Sequence, residues 1–100
     1  MNQSIHGRIV AHIRRLAADG VVLYIRIKAE DVTQLRLNHG MHVVLDVGGK
    51  CVVRVIVKTT NDNPWLAPDV DGSNAEITET LRKAGLDHGD DIEATIFEHR

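Results

Sequence analysis

The chain has one cysteine, three aromatic residues and two prolines among its 100 residues. A single cysteine excludes an internal disulfide, and no cysteine–histidine group has zinc-finger spacing. No apolar run approaches the roughly 20 residues that a membrane span needs, and the first residues lack the apolar core of a signal peptide. Because domains commonly have about 100–150 residues, we expect a single cytoplasmic domain over residues 1–100 that does not contact a membrane.

Sequence signatures of catalysis are also missing. The chain has no nucleophile elbow and no phosphate-binding loop, and one of its two serines, Ser73, is placed to cap a helix. His39 and His42 have a spacing found in metal sites, but such a site needs three or four converging ligands. We therefore expect no enzyme activity, no catalytic residue, no cofactor and no metal.

The charge is distributed unevenly along the chain, although the net charge is only −2. Residues 1–60 hold nine Lys or Arg and four Asp or Glu, whereas residues 61–100 hold three and ten. Such a division is typical of a nucleic-acid face, or of two complementary poles that favour association between copies.

Period-two alternation of apolar side chains predicts strands over 5–13, 21–28, 41–47, 51–58 and 91–97. In the second strand, Val21 is placed on the inner face. The inner positions, together with the apolar stripe of a helix, predict one core formed by Ile9, Leu23, Ile25, Val43, Leu45, Val53, Val55, Ile77, Leu81 and Ile92.

The loop at Gly48-Gly49 sets the register of the third and fourth strands. A two-residue loop would bring Lys50 onto the apolar face, whereas a three-residue loop pairs Val47 with Cys51 and keeps that face apolar. Since a one-residue slip exchanges the faces of a strand, we predict the three-residue loop with a glycine at positive φ. Cys51 then points inward as a small apolar side chain.

Two helices are predicted, a short one at about 29–36 and a longer one at about 74–84. The longer helix has Ser73 and Glu76 as a capping box and Gly85 just past its end. Residues 65–67 are predicted to form a short edge strand between the helices. The fold class is therefore mostly β (α+β), a small antiparallel β-barrel or pseudobarrel with one C-terminal helix and one short helix.

The pattern Leu-x-His-Gly-x-x-Val/Ile occurs twice, beginning at Leu37 and at Leu86, each time after a helical segment and before a strand. This arrangement resembles the Gly-Asp box of cradle-loop barrels, which include swapped-hairpin DNA-binding regulators and antitoxins. Gly89-Asp90 matches the box, whereas Gly40-Met41 keeps the glycine and lacks the acid.

Over residues 20–97 the order of elements is similar to that of two groups of barrels. One is the DNA-binding pseudobarrel of plant transcription factors and restriction-endonuclease effector domains. The other is a family of small bacterial barrel domains of unknown function. The resemblance implies a barrel fold, and its first branch implies DNA binding.

Basic side chains on the outer positions of the strands form the candidate site. Rows of Lys and Arg neutralise phosphates, and nucleic acid, with DNA favoured, is therefore the predicted partner. We predict contacts from Arg8, Arg14, Arg26, Lys28, Arg54 and Lys58. The acidic C-terminal helix and strand are expected to face away from the nucleic acid.

Other interpretations of the same residues remain open. Lys and Arg also keep strand surfaces soluble and block edge pairing. The chain could instead be a protein-interaction or inhibitor module, phage- or defence-associated, or a barrel domain of unknown function. An open barrel edge and the opposite charges of the two halves also predict a tendency to form homo-oligomers. Trp65 suits base stacking, but a core position is favoured for a single tryptophan.

Overall fold

The computed structural model describes residues 5–16, 20–59, 63–69 and 72–98, with side chains from residue 7 onward. Within these ranges, six strands close into an antiparallel barrel in the order β1-β2-β5-β4-β3-β6, with β6 also paired to β1. The predicted fold class is confirmed. The elements in chain order are β1 (Ile5–Arg15), β2 (Leu23–Arg26), α1 (Ala29–Gln34), β3 (His42–Val47), β4 (Cys51–Lys58), β5 (Trp65–Pro68), α2 (Asn74–Lys83) and β6 (Asp91–Glu98).

The alternating apolar positions fill the barrel as predicted. Nine of the ten predicted core residues are buried, and the tenth, Ile92, packs against them partly exposed. Val21 is a wrong assignment, because it is 67% exposed. Strand pairing of β2 begins only at Leu23, so Val21 precedes the strand, and no described strand pairs with it to set its face.

The β3–β4 hairpin has the predicted three-residue loop. Val47 pairs with Cys51, and Gly48 and Gly49 both have positive φ, +59° and +72°. These angles suit glycine, since a Cβ atom makes the left-handed region costly. Cys51 packs partly buried against the core, and burial, with a smaller contribution from Asp46, raises the pKa of its thiol. The thiol therefore stays protonated and poorly nucleophilic.

Helix α2 is defined by the signals found in the sequence. The Ser73 hydroxyl accepts a hydrogen bond from the Glu76 amide at 3.2 Å, and Ile77 and Leu81 are buried against the barrel. A buried threonine, which the sequence analysis missed, ties this helix to β2. The Thr78 hydroxyl accepts the Leu23 amide at 2.7 Å and donates to the Asn74 carbonyl at 2.6 Å. The first amide of β2 thus has a partner although the strand begins there.

The barrel consists of two halves with the same order of elements, strand–strand–helix–strand. The first half runs from β1 to β3 and the second from β4 to β6. If each strand is replaced by its counterpart in the other half (β1 by β4, β2 by β5 and β3 by β6), the order of strands around the barrel is unchanged. The helix ends also correspond: Arg36, with φ +54°, follows α1 where Gly85, with φ +83°, follows α2. The repeated Leu-x-His-Gly pattern therefore reflects a duplicated architecture.

Each copy of the pattern holds the end of a strand from the other half. In the second copy, Gly89 donates to the Ile13 carbonyl at 2.9 Å, and the Arg15 amide donates to His88 Nδ1 at 2.8 Å. The first copy repeats these bonds on β4, where Gly40 donates to the Val57 carbonyl and the Thr59 amide donates to His39 Nδ1. Both histidines thus serve as acceptors for backbone amides.

Closure of the barrel corrects the predicted edge strand. β5 pairs with β2 on one side and with β4 on the other. Among the described strands each has two neighbours, so the open edge on which the expected self-association rested is absent.

Candidate nucleic-acid interface

A row of outward side chains crosses four adjacent strands, β1, β2, β5 and β4. In the strand register His12 lies opposite Arg26, Arg26 opposite Trp65, and Trp65 opposite Lys58. Direct cross-strand neighbours have Cβ atoms about 4.5–5.5 Å apart. We call the surface around this row the aromatic–basic face, which comprises Arg14, Tyr24, Arg26, Lys28, Lys58 and Trp65.

Trp65 lies on the outside of the barrel, next to Tyr24. Their ring centroids are 6.1 Å apart with the planes at 85°, an edge-to-face contact. The core position favoured for Trp65 in the sequence analysis is wrong, because its neighbour Leu66 fills the interior and is fully buried. Two aromatic side chains are thus available on one outer surface beside a basic residue, Arg26.

Two depressions adjoin on this face, with Arg26 lining both. The first has a volume of about 310 Å³ and is lined by Leu16, Tyr24, Arg26, Asn63 and Trp65. The second, of about 390 Å³, is bounded by the ends of β1 and β2 and the start of α1; it is lined by His12, Arg14, Arg26, Ile27, Lys28, Ala29 and Glu30. The surface is therefore apolar and aromatic at one end and charged at the other.

A carboxylate of β6 offsets part of the positive charge. Asp91 Oδ1 lies 2.7 Å from Arg14 Nη2 and 2.8 Å from His12 Nδ1. These hydrogen bonds, that from His12 first, lower the pKa of the Asp91 carboxyl, so it stays ionised at neutral pH. The acidic C-terminal strand therefore does not face away as expected, because β6 pairs directly with β1 and carries Asp91 to the edge of the aromatic–basic face.

The other three basic side chains of the face have no carboxylate partner among the described residues. Arg26 Nη2 donates to the neutral Asn63 amide oxygen at 3.0 Å. Within the described ranges, no carboxylate forms an ion pair with Arg26, Lys28 or Lys58. These three side chains are therefore the ones available to an anionic partner.

Two of the six predicted binding residues lie away from this face. Arg8 is opposite Thr95 of β6 and lines a separate depression with Asp46 and Glu93. Arg54 is opposite Val44 of β3, and four residues of strand, about 13 Å, separate it from Lys58. The structure thus brings together Arg14, Arg26, Lys28 and Lys58, and leaves Arg8 and Arg54 apart.

The sequence analysis missed Leu16, Asn63 and Asp91 as parts of this surface. Leu16 is 51% exposed and lines the aromatic depression. Asp91 carries a usable signal, since it precedes the inward Ile92 by one position and so has outward parity. Outward parity does not identify the neighbouring strand; the closed barrel shows that it is β1.

Among the described residues, no group of three or more His, Cys, Asp or Glu side chains is arranged to hold a metal ion. The two pattern histidines have a structural use already, each accepting a backbone amide through Nδ1.

The chain is a small, mostly β protein, a closed six-stranded antiparallel barrel with two helices in its described residues. No protein-family model, curated protein or solved structure matches it. None of the described helices is both long enough and apolar enough to cross a membrane.

Proposed function

We propose that this protein is a non-catalytic nucleic-acid-binding module, with DNA the favoured partner, and that it binds through the aromatic–basic face. One observation carries the proposal: the strand register sets Trp65 between Arg26 and Lys58, a ring flanked by a cation on each side. Cations neutralise phosphates and aromatic rings stack on bases. That combination is typical of nucleic-acid surfaces.

The described ion pairs favour three of the cations as phosphate contacts. Arg26, Lys28 and Lys58 are available to phosphates, whereas Arg14 forms an ion pair with Asp91. Arg8 and Arg54 are left out of the proposed contact set because they lie on other parts of the barrel. The duplicated strand–strand–helix–strand order supports a relationship to cradle-loop barrels, which include DNA-binding regulators.

The test is a fluorescence-anisotropy titration of labelled duplex DNA, single-stranded DNA and single-stranded RNA across a salt series. Each neutralised phosphate contributes about −0.7 to the log–log salt slope on single strands and about −0.9 on duplex. Three cations therefore predict a slope of about −2 on single strands and about −3 on duplex.

Charge reversals separate the face from the rest of the barrel. Arg26→Glu and Lys58→Glu should weaken binding to every sequence, because phosphate contacts position the protein without specifying a base. Arg54→Glu is the matched control, since it makes the same charge change on β4 outside the face. Equal losses in all three variants would refute the assignment of the face. No binding to any of the three probes at about 50 mM salt, where phosphate contacts are strong, would favour the protein-interaction alternative.

A further inference from the structure

We infer that the aromatic–basic face selects single-stranded over duplex nucleic acid by stacking an unpaired base against Trp65 and Tyr24. This inference rests on the proposed function and specifies its ligand.

The first argument is the apolar content of the depression beside these rings. Trp65 and Tyr24 are only partly buried, and Leu16, more than half exposed, adds a third apolar side chain. A surface that bound only phosphates would have no use for such a lining. In a duplex each base is covered on both faces by its neighbours, whereas in a single strand a base can leave the stack and offer its π-face. The lining therefore fits an unstacked base.

The second argument is the small number of uncompensated cations. Duplex binding that is strongly dependent on salt corresponds to about 6–10 phosphate contacts. In the described part of this face, three cations have no carboxylate partner, and the charge of a fourth, Arg14, is offset by Asp91. The ionic contribution is correspondingly small, so the affinity must come largely from contacts to bases.

The third argument is the position of the cations relative to the rings. Arg26 and Lys58 lie on the strands either side of Trp65, and the row from His12 to Lys58 spans three strand spacings, about 14 Å. A strand that crosses the barrel along this row can place a base on Trp65 and a phosphate near each neighbour. Stacking and neutralisation then act on the same short segment.

The experiment uses the fact that Trp65 is the only tryptophan in the chain. Its fluorescence is followed during titration with three probes: a single-stranded DNA of about 12 nucleotides, within the usual site size of small barrel domains, a blunt duplex of the same sequence, and an abasic strand of the same length. The single strand should quench the emission and bind most tightly. The abasic strand, which has the phosphates without the bases, and the duplex should bind more weakly and leave the emission nearly unchanged.

Two substitutions test the ring itself, with affinity measured by anisotropy of the labelled single strand. Trp65→Ala should lower the affinity by roughly 5- to 150-fold, the usual effect of removing one stacking partner, and leave the salt slope unchanged. Trp65→Phe, which keeps an aromatic face and preserves packing with Tyr24, should retain most of the affinity. Circular dichroism of both variants checks that the barrel is intact, and the quenching of the wild type stands if Trp65→Ala does not fold.

The outcomes of this inference and of the proposed function are distinguishable. If duplex or the abasic strand binds as tightly as the single strand, selection by stacking is refuted and nucleic-acid binding by the cations stands. An unchanged salt slope together with equal affinities of Trp65→Ala and wild type would likewise refute stacking and leave binding by the cations in place. If none of these three probes binds and the labelled single-stranded RNA does not bind either, both proposals fall.

Discussion

Asp91 is expected to restrain nucleic-acid binding, and removing its charge should strengthen that binding. Its carboxylate oxygen contacts Arg14 at 2.7 Å and His12 at 2.8 Å, at the edge of the aromatic–basic face. In Asp91→Asn the ion pair with Arg14 is lost, and Arg14 becomes a fourth cation available to phosphates. One additional contact steepens the salt slope on single strands by about 0.7, which corresponds to an affinity gain of about eightfold at about 50 mM salt if the contact contributes nothing near 1 M.

The assay is the anisotropy titration of a labelled single strand over the salt series, with Glu79→Gln as the control. Glu79 pairs with Lys83 on α2 at 2.9 Å, and its substitution changes the net charge of the protein by the same one unit. Because α2 lies outside the aromatic–basic face, the control should leave affinity and slope nearly unchanged. An equal gain in both variants would mean that only the overall charge matters. No gain in Asp91→Asn would mean that Arg14 does not reach a phosphate.

Three further predictions concern stability. His88→Ala removes the acceptor of the Arg15 amide and should cost about 0.5–1.5 kcal/mol in urea unfolding. His42→Ala, at an exposed variable position of the first copy of the pattern, should change the free energy of unfolding by less than about 0.5 kcal/mol; equal effects would contradict the structural role of His88. Arg36→Gly should raise the free energy of unfolding by about 0.5–1 kcal/mol, because the left-handed conformation costs a residue with a side chain more than the added chain entropy of glycine. Gly85→Ala at the matching position should lower the free energy of unfolding by a similar amount. Thermal melts that show the opposite signs would refute the correspondence of the two helix ends. Hydrogen bonds from the His88 amide and, to a smaller extent, from Arg82 lower the pKa of the Asp87 carboxyl below 3.8. The contribution of Asp87 to stability is therefore present above about pH 4 and is lost as the pH falls through the lowered pKa. Asp87→Asn should flatten the decline of the denaturation midpoint below about pH 4, and a decline as steep as in the wild type would rule this out.

The sequence was sufficient wherever the physical cause lies within a few residues. The alternation of Val43, Leu45 and Val47 assigned a buried face, and only a three-residue loop kept Cys51 in phase with it. Ser73, with a partner three residues along, defined the start of α2. Alternation and capping depend on the backbone repeat and on adjacent hydrogen-bonding groups, so they can be recognised without knowing the partner strands.

Local signals failed where a residue lies outside the element that its pattern suggests. Val21 continues the alternation of β2, but the described pairing of that strand begins at Leu23, and Val21 is exposed. The repeated histidines were recognised as part of a pattern, yet their bonds to the Arg15 and Thr59 amides depend on strands from the other half of the chain. The spacing of residues within the seven-residue pattern does not indicate which strand the histidine will contact.

The composition of the aromatic–basic face was decided by the closed barrel. Outward parity placed Arg14, Arg26 and Lys58 on strand exteriors, but parity does not say which strands are neighbours. Closure put β5 between β2 and β4, which brought Trp65 beside Arg26 and Lys58, and put β6 against β1, which brought Asp91 to Arg14. In β1 to β4 and β6 the sequence by itself determined which way most of the alternating side chains point, because that follows from a repeat of two residues. Only the tertiary structure determined what each one meets, because strand order is set by the burial of a core shared by the whole chain.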